Sequence, residues 1–406
     1  MRDYPNLRHI RLIAAAVRLG ALSRAAEAVG ISQPAASQAL AKLEATFGGR
    51  LLERSKSGAL ATARGRVVVR RAQRALSVLK AGQGKLARFA KHHAGGVDLA
   101  EAQVGMVHLR ALSAFADAGS FSAAARRLGL TEPSVHRAAR ELEAILGVAL
   151  FTGPSRHLIL SPAGRVFARH ANLVMAELDA AFDEVRELAG AYDGRLVVGT
   201  LPLVRTQIVP AAVVALAARR PEATIEVVDG PYDTLIQDLA NGRIDMLVGA
   251  LREDVPASEL TQEVLFQDDL AIVARAGHPL AGRARITSDD LARYPWLLPR
   301  PETPSRLVFE RLAANFPPDR PLAGVIETGS LVALRGILMM SDRLTILSRR
   351  QILYEEKAGF LIVLPVRLSE AARPIGLTLR ADWQPTALQA DFLAELRSAV
   401  AEEGNG

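Results

Sequence analysis

The spacing of apolar residues near the start of the chain predicts two short helices. The first is amphipathic, because apolar residues recur at intervals of three and four: Leu7, Ile10, Ile13 and Val17. Gly20 suits the end of this helix, because glycine readily adopts the left-handed conformation found there. Ser23 is the expected N-cap of a second helix over 24–29. Gly30 then allows a tight turn into the next element.

A third helix is predicted after this turn, with Ser32 as its N-cap and Pro34 in its first turn. The helix points Leu40 and Leu43 towards a core and leaves polar residues outside: Gln33, Ser37, Gln38 and Lys42. Two short helices joined by a glycine-containing turn are typical of a helix-turn-helix, whose second helix lies in the major groove of DNA. Glutamine can pair with adenine and serine with several bases, so this face is a candidate base-reading surface.

Two short strands, over 51–54 and 60–62, predict a hairpin wing after the third helix. Basic side chains on or beside the wing are placed to meet phosphate groups: Arg54, Lys56 and Arg64. A further helix is expected from Gly65 to about Ala81. We expect it to be interrupted there, because Gly82 and Gly84 each weaken a helix interior by roughly 1 kcal/mol.

The same segment occurs twice in the chain, and every matched pair of residues is 99 positions apart. The matched pairs include Ala25/Ala124, Gly30/Gly129, Pro34/Pro133, Leu43/Leu142, Glu44/Glu143, Gly48/Gly147, Thr62/Ser161 and Gly65/Gly164. The repeat predicts two winged helix-turn-helix domains, each followed by a long helix. We name residues 1–96 head one and residues 97–193 head two, and each head includes the helix that follows it.

In head two the candidate recognition helix spans 135–145, and its candidate DNA contacts are Thr131, Ser134, His136, Arg137 and Arg140. Two substitutions weaken the match with head one. Glu132 replaces Gln33, and a carboxylate repels phosphate; Gly153 replaces Arg54 and carries no charge. Head two is therefore expected either to bind DNA weakly or to serve as a packing module.

The helices after the two heads differ in their pattern. The second one, predicted over 162–188, has no glycine after Gly164 and carries a continuous apolar stripe: Val166, Leu173, Val174, Leu178, Ala181, Phe182 and Val185. This stripe suits a dimerising linker helix. The sequence therefore suggests that head one supplies more DNA affinity and that the helix of head two supplies dimerisation.

Charge supports this division. Residues 1–96 hold 18 Lys and Arg against 4 Asp and Glu, a net charge of +14, whereas residues 97–193 and 194–406 have net charges of −3 and −4. A basic end is the expected footprint of a protein that binds a polyanion, although a merely soluble basic helix bundle would show the same charge. The absence of cysteine excludes disulfides, thiolate metal sites and cysteine nucleophiles. We expect a cytoplasmic protein, since neither a signal peptide nor a membrane span is recognisable.

From residue 194 onward, alternating strands and helices predict a mostly parallel sheet in two lobes. Lobe I spans 194–272, lobe II spans 273–365, and residues 366–406 return to lobe I. The predicted strands are 194–200, 224–228, 244–249, 325–327, 344–347 and 374–380, and the predicted helices are 206–219, 233–241, 305–314, 331–339 and 386–400.

The ordered motifs of head one resemble the N-terminal domain of LysR-type transcriptional regulators. These motifs are Ser23-x-Ala25-Ala26, Ser32-Gln33-Pro34, Leu43-Glu44, Phe47-Gly48, Leu51-Leu52-Glu53-Arg54 and Thr62-x-x-Gly65. The resemblance implies a multidomain fold: winged helix-turn-helix domains, here duplicated, a dimerising linker helix, and a two-lobed α/β effector domain of the periplasmic-binding-protein type II kind. It also implies a homo-dimer or homo-tetramer, double-stranded DNA and a small-molecule effector as partners, and no cofactor. RNA polymerase is a further expected partner.

The resemblance to the effector domain places a small molecule between the lobes, at strand ends and helix starts. By position this site maps to Thr200, Leu201, Pro202, Arg205, Ala250, Thr303, Thr328 and Ser330. Thr328 and Ser330 also suit the capping of the helix that begins near Leu331. Ser348 stands where this family commonly has proline, so the pocket is expected to be reshaped.

Three further classes of protein fit parts of the sequence. An enzyme on the same two-lobed fold is conceivable, but hydroxymethylbilane synthase attaches its cofactor through a cysteine, and no phosphate loop or other catalytic motif stands out. A solute-binding protein for transport would need export. An interaction protein with degenerate heads is disfavoured by the charge of residues 1–96. His92 and His93 could bind metal, but no other ligand lies near them in the sequence.

Overall fold

The computed structural model describes residues 3–55, 58–89, 102–154, 157–255, 259–301, 303–318, 322 and 324–404. His92 and His93 lie outside these residues, as does Lys56. Head one consists of α1 (Leu7–Leu19), α2 (Leu22–Val29), α3 (Gln33–Thr46), β1 (Leu52–Ser55), β2 (Gly58–Ala61) and α4 (Ala63–Leu86). Head two repeats this order with α5 (Met106–Ala118), α6 (Phe121–Leu128), α7 (Glu132–Leu146), β3 (Phe151–Thr152), β4 (Ile159–Leu160) and α8 (Pro162–Leu188).

The turns between the helices follow the glycines of the sequence. Gly20 and Gly30 end α1 and α2 in the left-handed conformation, with φ of 71° and 70°. Ser32 caps α3, since its side chain accepts a hydrogen bond from the amide of Ala35. The prediction that Ser23 caps α2 is wrong, because α2 already begins at Leu22 and Ser23 lies within its first turn.

Residues matched across the repeat hold each wing against its helices. Glu44 accepts a hydrogen bond from the amide of Leu51 at 2.9 Å, and Glu143 accepts one from the amide of Leu150 at 2.7 Å. Thr62 and Ser161 cap α4 and α8, because their hydroxyls accept from the amides of residues 65 and 164 at 2.9 Å.

Gly65 and Gly164 sit where a side chain would overlap the backbone. A Cβ atom on either glycine would collide with the carbonyl oxygen of the matched leucine in the preceding segment, Leu51 or Leu150. These two glycines therefore let each linker helix begin directly beneath its own wing. The repeat thus preserves the scaffold of the heads.

The linker helix α4 runs without interruption to Leu86, so the predicted break before Gly82 is wrong. Gly82 is buried, and a Cβ atom on it would lie 2.7 Å from Cβ of His170 in α8. The missing side chain at Gly82 thus allows the two linker helices to approach each other closely. Gly82, which was expected to end α4, instead lies inside the helix and allows α4 to pack closely against α8.

The two linker helices of one chain pack against each other in antiparallel directions. Arg71, near the start of α4, binds Glu177 and Glu184 in the second half of α8. Gly82, near the end of α4, meets His170 near the start of α8. The apolar stripe of α8 is therefore covered within its own chain, where Val174, Leu178, Ala181 and Val185 are at most 5% exposed. The prediction that this stripe joins two chains is corrected accordingly.

The C-terminal half contains β5 (Arg195–Thr200), α9 (Ile208–Arg219), β6 (Thr224–Asp229), α10 (Tyr232–Ala240), β7 (Met246–Ala250), β8 (Leu260–Arg275), α11 (Ser288–Ala292), β9 (Leu297–Leu298), α12 (Pro304–Ala313), β10 (Ile326–Glu327), α13 (Leu331–Met339), β11 (Thr345–Ser348), α14 (Leu353–Lys357), β12 (Leu361–Val363), β13 (Ala372–Arg380) and α15 (Ala387–Gly404). Short 3-10 turns lie at Pro202–Arg205 and Arg349–Ile352.

The main sheet is mixed, with strand order β11-β8-β13-β7-β5-β6 and β12 also paired with β8. Parallel pairing in this sheet is confined to β6-β5-β7. The prediction of a mostly parallel sheet is therefore wrong. The difference arises from β8, a 16-residue strand that sequence reasoning missed. It pairs antiparallel with β13 at one end and with β11 and β12 at the other, and so runs from lobe I into lobe II.

Each lobe has its own core. In lobe I, α9 and α15 pack on β5, β7 and β13 through residues such as Val198, Leu216 and Phe392. In lobe II the core surrounds Trp296, which is fully buried beside Phe309. These separate cores agree with a two-lobed effector domain.

Lobe I also contacts both linker helices. Arg71 of α4 donates to the carbonyl of Gln384 at 3.0 Å, next to α15. At the opposite end of the helix pair, Lys85 of α4 and Arg169 of α8 both bind Glu259, at 3.0 and 2.7 Å. The paired linker helices therefore rest on lobe I at both ends of their crossing.

Candidate DNA-binding and effector-binding sites

The recognition helix of head one, α3, has one buried face and one exposed face. Ala36, Ala39 and Leu43 are at most 4% exposed and pack beneath the helix. The predicted DNA-contacting residues of α3 and its cap are all exposed: Ser32, Gln33, Pro34, Ser37, Gln38 and Lys42. Their polar atoms therefore face outwards on a single surface, as base-edge contacts require.

The recognition helix of head two, α7, starts earlier than predicted, at Glu132, and also has its candidate contacts exposed. Several of them already have partners within the head. The hydroxyls of Thr131 and Ser134 lie 2.7 Å apart, and Arg140 binds Glu143 at 2.6 Å. The ring of His136 packs edge-on against Phe121, with centroids 4.9 Å apart.

The wings differ in length. In head one, β1 and β2 pair over four residues each, and Arg54 lies on β1 opposite Ala59. In head two, β3 and β4 pair over two residues each, and the chain turns at Gly153 with φ of 106°. A Cβ atom at Gly153 would lie 2.6 Å from the carbonyl oxygen of His157. The repeat partner of Arg54 therefore lies where a side chain would collide with the backbone of the loop.

Arg64 is engaged inside head one. Its guanidinium donates to the carbonyl oxygen of Gly48 at 2.6 Å and so ties the start of α4 to the end of the recognition-helix segment. A role in holding the head together therefore fits Arg64 better than the phosphate contact that its position in the sequence suggested.

On lobe I, the predicted effector residues lie around the C-terminal ends of β5 and β7. Thr200 is fully buried, and its hydroxyl donates to the carbonyl of Val228 at 3.2 Å. Leu201 is buried, and Pro202 opens the 3-10 turn that follows. Arg205 forms an ion pair of 2.9 Å with Asp229 at the end of β6, and Ala250 ends β7.

On lobe II, the predicted effector residues lie at helix starts. The hydroxyl of Thr303 caps α12, and the hydroxyl of Ser330 accepts from the amide of Ala333 at the start of α13. Thr328 accepts from the amide of Ser330 at 3.1 Å. The capping role expected for Ser330 is confirmed, whereas Thr328 stabilises the loop before the helix.

A hydrogen bond links the two lobes beside these residues. Arg335 of α13 donates to the hydroxyl of Thr206 at 3.3 Å, just after the 3-10 turn of lobe I. The same guanidinium donates to the carbonyl of Gln351 and pairs with Glu355 at 3.3 Å. Arg335 therefore ties the segment just before α9 in lobe I to the segment after β11 in lobe II.

Sequence reasoning missed a buried charged cluster where β8 passes from lobe I to lobe II. Asp268 is 3% exposed and accepts a hydrogen bond from Ser348 at 2.6 Å and one from Arg373 at 3.2 Å. Burial raises the pKa of Asp268, and these two partners oppose the rise. Burial lowers the pKa of Arg373. The one sequence signal for this cluster was Ser348, which replaces the proline common in the family.

Comparison with known proteins agrees with this architecture. The family model described as "Bacterial regulatory helix-turn-helix protein, lysR family" matches twice, at residues 7–66 and 106–165. The model described as "LysR substrate binding domain" matches residues 189–401. The HTH-type transcriptional regulator GalR of Pseudomonas putida is 31% identical over 401 residues, which cover 99% of each chain.

The chain belongs to the LysR family of transcriptional regulators. The regulator PcaQ of Agrobacterium fabrum is 33% identical over 300 residues, which cover 96% of that relative and 74% of this chain. The structure of a full-length OxyR variant from Pseudomonas aeruginosa shares the fold with a TM-score of 0.56, at 20% identity, covering 76% of this chain and 95% of that one. This LysR-type regulator therefore joins two segments that match the family's helix-turn-helix model to one that matches its substrate-binding domain.

Two further observations concern the described part of the chain. None of its helices is long and apolar enough to cross a membrane. Nor do its His, Asp and Glu side chains form a group of three or more that could hold a metal ion. GalR and PcaQ are transcriptional regulators, which agrees with a role other than catalysis.

Proposed function

We propose that head one is the principal DNA-reading domain of this regulator. The observation that supports this most strongly is the outward face of α3, where Gln33, Ser37 and Gln38 are exposed above a buried apolar face. Ser32, Pro34 and Lys42 extend the same surface. From the sequence, Arg54 and Lys56 are the proposed phosphate contacts of head one.

Head two contributes a second, weaker DNA contact. Residues 106–165 hold 7 Lys and Arg against 4 Asp and Glu, whereas residues 7–66 hold 10 against 3. Phosphate neutralisation dominates the affinity of such proteins for DNA, so the charge difference favours head one. Thr131, Ser134, His136, Arg137 and Arg140 form the contacting surface of head two, with Arg137 as its main base-reading side chain.

The effector binds between the lobes. Thr200, Leu201, Pro202, Arg205 and Ala250 line the lobe I side, and Thr303, Thr328 and Ser330 line the lobe II side. The support is the hydrogen bond from Arg335 to Thr206, which joins the lobes beside both sets. A ligand that displaces or reinforces this bond changes how the lobes sit together, and lobe I in turn rests on the linker helices.

The regulator acts in the cytoplasm, with RNA polymerase as a further partner, and assembles as a homo-dimer or homo-tetramer. Support for assembly comes from strongly exposed apolar side chains on and just after α13, since Val332 is 79% and Met340 82% exposed. Val332→Glu should lower the mass measured by light scattering. Phe360→Glu, which changes another exposed apolar residue of lobe II, should leave the mass unchanged.

A salt titration of DNA binding tests the proposed function. Affinity for duplex DNA should fall steeply as salt rises, because phosphate contacts release counterions. Arg54→Ala should weaken binding to all duplexes, whereas Gln33→Ala and Gln38→Ala should change which sequence is preferred. Arg283→Ala removes an exposed arginine from lobe II and serves as the control. Poor affinity for every duplex at low salt would refute the assignment.

The effector site is tested separately by thermal shift. A ligand that binds the native protein stabilises it by an amount set by ligand concentration and affinity. Screening small acids, amino acids and sugars should yield a stabilising compound whose effect is reduced by Thr328→Val or Ser330→Ala. If neither substitution reduces the shift in melting temperature that the compound causes, the ligand binds elsewhere.

A further inference from the structure

The crossing of the linker helices has an internal two-fold relation. Arg71 of α4 lies opposite the stretch of α8 between Glu177 and Glu184, which contains position 181. Gly82 of α4 lies opposite His170 of α8. His170 is the repeat partner of Arg71, and Ala181 is the repeat partner of Gly82. Each helix therefore uses the same stretch to meet the other, as two identical chains would around a two-fold axis.

Contacts from head one to the linker helix of head two fix this arrangement. The rings of Phe47 and Phe182 stack with their centroids 4.7 Å apart, at the end of α3. The hydroxyl of Tyr4 donates to Asp179 at 2.8 Å. The recognition-helix segment of head one is therefore seated on α8, and both heads belong to one packed unit.

The outward faces of the two recognition helices differ at most of the positions proposed to contact bases, although Pro34 and Pro133 are the same. Gln33, Ser37 and Gln38 of α3 correspond to Glu132, His136 and Arg137 of α7. Further along, Ala41 and Lys42 correspond to Arg140 and Glu141. All of these residues are exposed. The buried positions, by contrast, remain small or aliphatic in both copies.

We propose that one chain presents both recognition helices to a single DNA duplex and reads two half-sites of different sequence. This inference rests on the proposed function, namely that α3 and α7 contact DNA. Two identical subunits related by a two-fold axis read an inverted repeat. Two heads that are related by the same two-fold axis but carry different outward side chains should instead read two unlike half-sites. The DNA site is then not a palindrome and has a defined direction.

The chemistry of the two faces indicates what each half-site contains. The amide side chains of Gln33 and Gln38 match the adenine edge in the major groove, which offers one donor and one acceptor. The guanidinium of Arg137 matches guanine, and the carboxylates of Glu132 and Glu141 can accept from the amino group of cytosine. The half-site of head one is therefore richer in A·T pairs, and that of head two is richer in G·C pairs.

Selection of bound duplexes from a random library by the full-length protein tests this inference. The selected site should contain two unlike parts at a fixed spacing. Gln38→Ala should reduce discrimination in the A·T-richer part only, and Arg137→Ala in the G·C-richer part only, each by about 5- to 100-fold. Both residues are exposed, so neither substitution should disturb folding.

The possible outcomes are distinct. An inverted repeat in which Gln38→Ala changes both halves and Arg137→Ala neither would overturn the inference, because two copies of head one would then occupy the site. A single half-site that depends on Gln38 alone would also overturn it. Failure to select any sequence would instead refute the proposed DNA-reading function of the heads.

A disulfide cross-link provides a second measurement. The chain has no cysteine, so Gly82→Cys with His170→Cys introduces the only pair, at positions whose Cβ atoms lie within disulfide reach after a shift of about 1 Å. A cross-linked species with the mass of one chain supports pairing within the chain. A cross-linked species of two chains would overturn it.

Discussion

Head one and head two keep equivalent side chains at the contacts that hold each wing and linker helix in place. Glu44 and Glu143 hold their wings by the same hydrogen bond, and Thr62 and Ser161 cap their linker helices in the same way. The heads differ where side chains face outwards or face the other head. The comparison shows that duplication preserved the packing and left the two contact surfaces to diverge.

The linker helices show the same divergence where they meet. At one end of the crossing, Arg71 is 2% exposed and binds two carboxylates of α8. At the other end, its repeat partner His170 packs against Gly82, and its ring lies within hydrogen-bond distance of the carbonyl of Val166. One end of the crossing is therefore held by buried ion pairs and the other by close backbone approach.

The largest expected effect tests the end held by ion pairs. Arg71→Ala should destabilise the protein by about 3 kcal/mol, because Glu177 and Glu184 lose their most buried partner. The more exposed Arg74 and Arg70 still bind these carboxylates and limit the loss. Arg70→Ala is the matched control, since Arg70 also binds Glu184 but its side chain is 52% exposed, and it should cost at most about 1 kcal/mol. Denaturant unfolding measures both, and equal losses would show that burial of Arg71 is unimportant.

A matched pair of glycines tests whether the heads contribute unequally to DNA binding. Gly65→Ala and Gly164→Ala each force a Cβ atom onto a backbone carbonyl, at a cost of roughly 1–3 kcal/mol or more, and displace the wing. Gly65→Ala should lower DNA affinity more than Gly164→Ala, because head one is the more basic. Fluorescence anisotropy at fixed salt measures this, and a larger loss for Gly164→Ala would reverse the comparison.

The end of the crossing held by close approach is tested by two glycines of α4. Gly82→Ala should destabilise the protein by about 1–3 kcal/mol, because its Cβ atom would lie 2.7 Å from His170. Gly84→Ala, two residues later, meets nothing within 4 Å and should stabilise the helix by up to about 1 kcal/mol. Thermal unfolding of both variants should show shifts of opposite sign, and a neutral Gly82→Ala would argue against tight packing there.

The smallest expected effect is a dependence on pH at the same end. Burial lowers the pKa of His170, and Lys85 and Arg169 lower it further, while the Val166 carbonyl and Glu259 oppose this. The unfolded chain therefore binds a proton more readily, so stability is lost as the pH falls below about 6.5. His170→Gln should reduce the slope of stability between about pH 7.5 and 5.5. A remaining slope is expected from His9 and His278, whose pKa values burial also lowers.

The sequence was sufficient to predict the order of the elements in the heads, because the apolar period and most of the capping and turn residues are local signals. The apolar period of α1, the cap Ser32 and the turn at Gly30 each depend on a few neighbouring residues. The role of Gly82 was not predictable in this way. Its contact, His170, lies 88 positions away, and a helix-weakening glycine looks the same in sequence whether it ends a helix or packs against one.

The effector domain was less accessible to sequence reasoning for a related reason. The strand β8 belongs to both lobes, and its pairing with β13 joins residues about a hundred positions apart. Local pattern cannot reveal that such a strand turns a parallel arrangement into a mixed sheet. The cluster of Asp268, Ser348 and Arg373 likewise depends on three distant segments meeting at one point.

The covalent connection between α4 and α5 has a consequence for how this regulator behaves at low abundance. Heads on separate chains pair by a bimolecular reaction, so dilution takes the pairs apart. Here α4 and α8 belong to one polypeptide, and each meets the other at an effective concentration set by the connecting segment rather than by the number of molecules in the cell. A few copies of the protein would hold as large a fraction of their heads in pairs as many copies would.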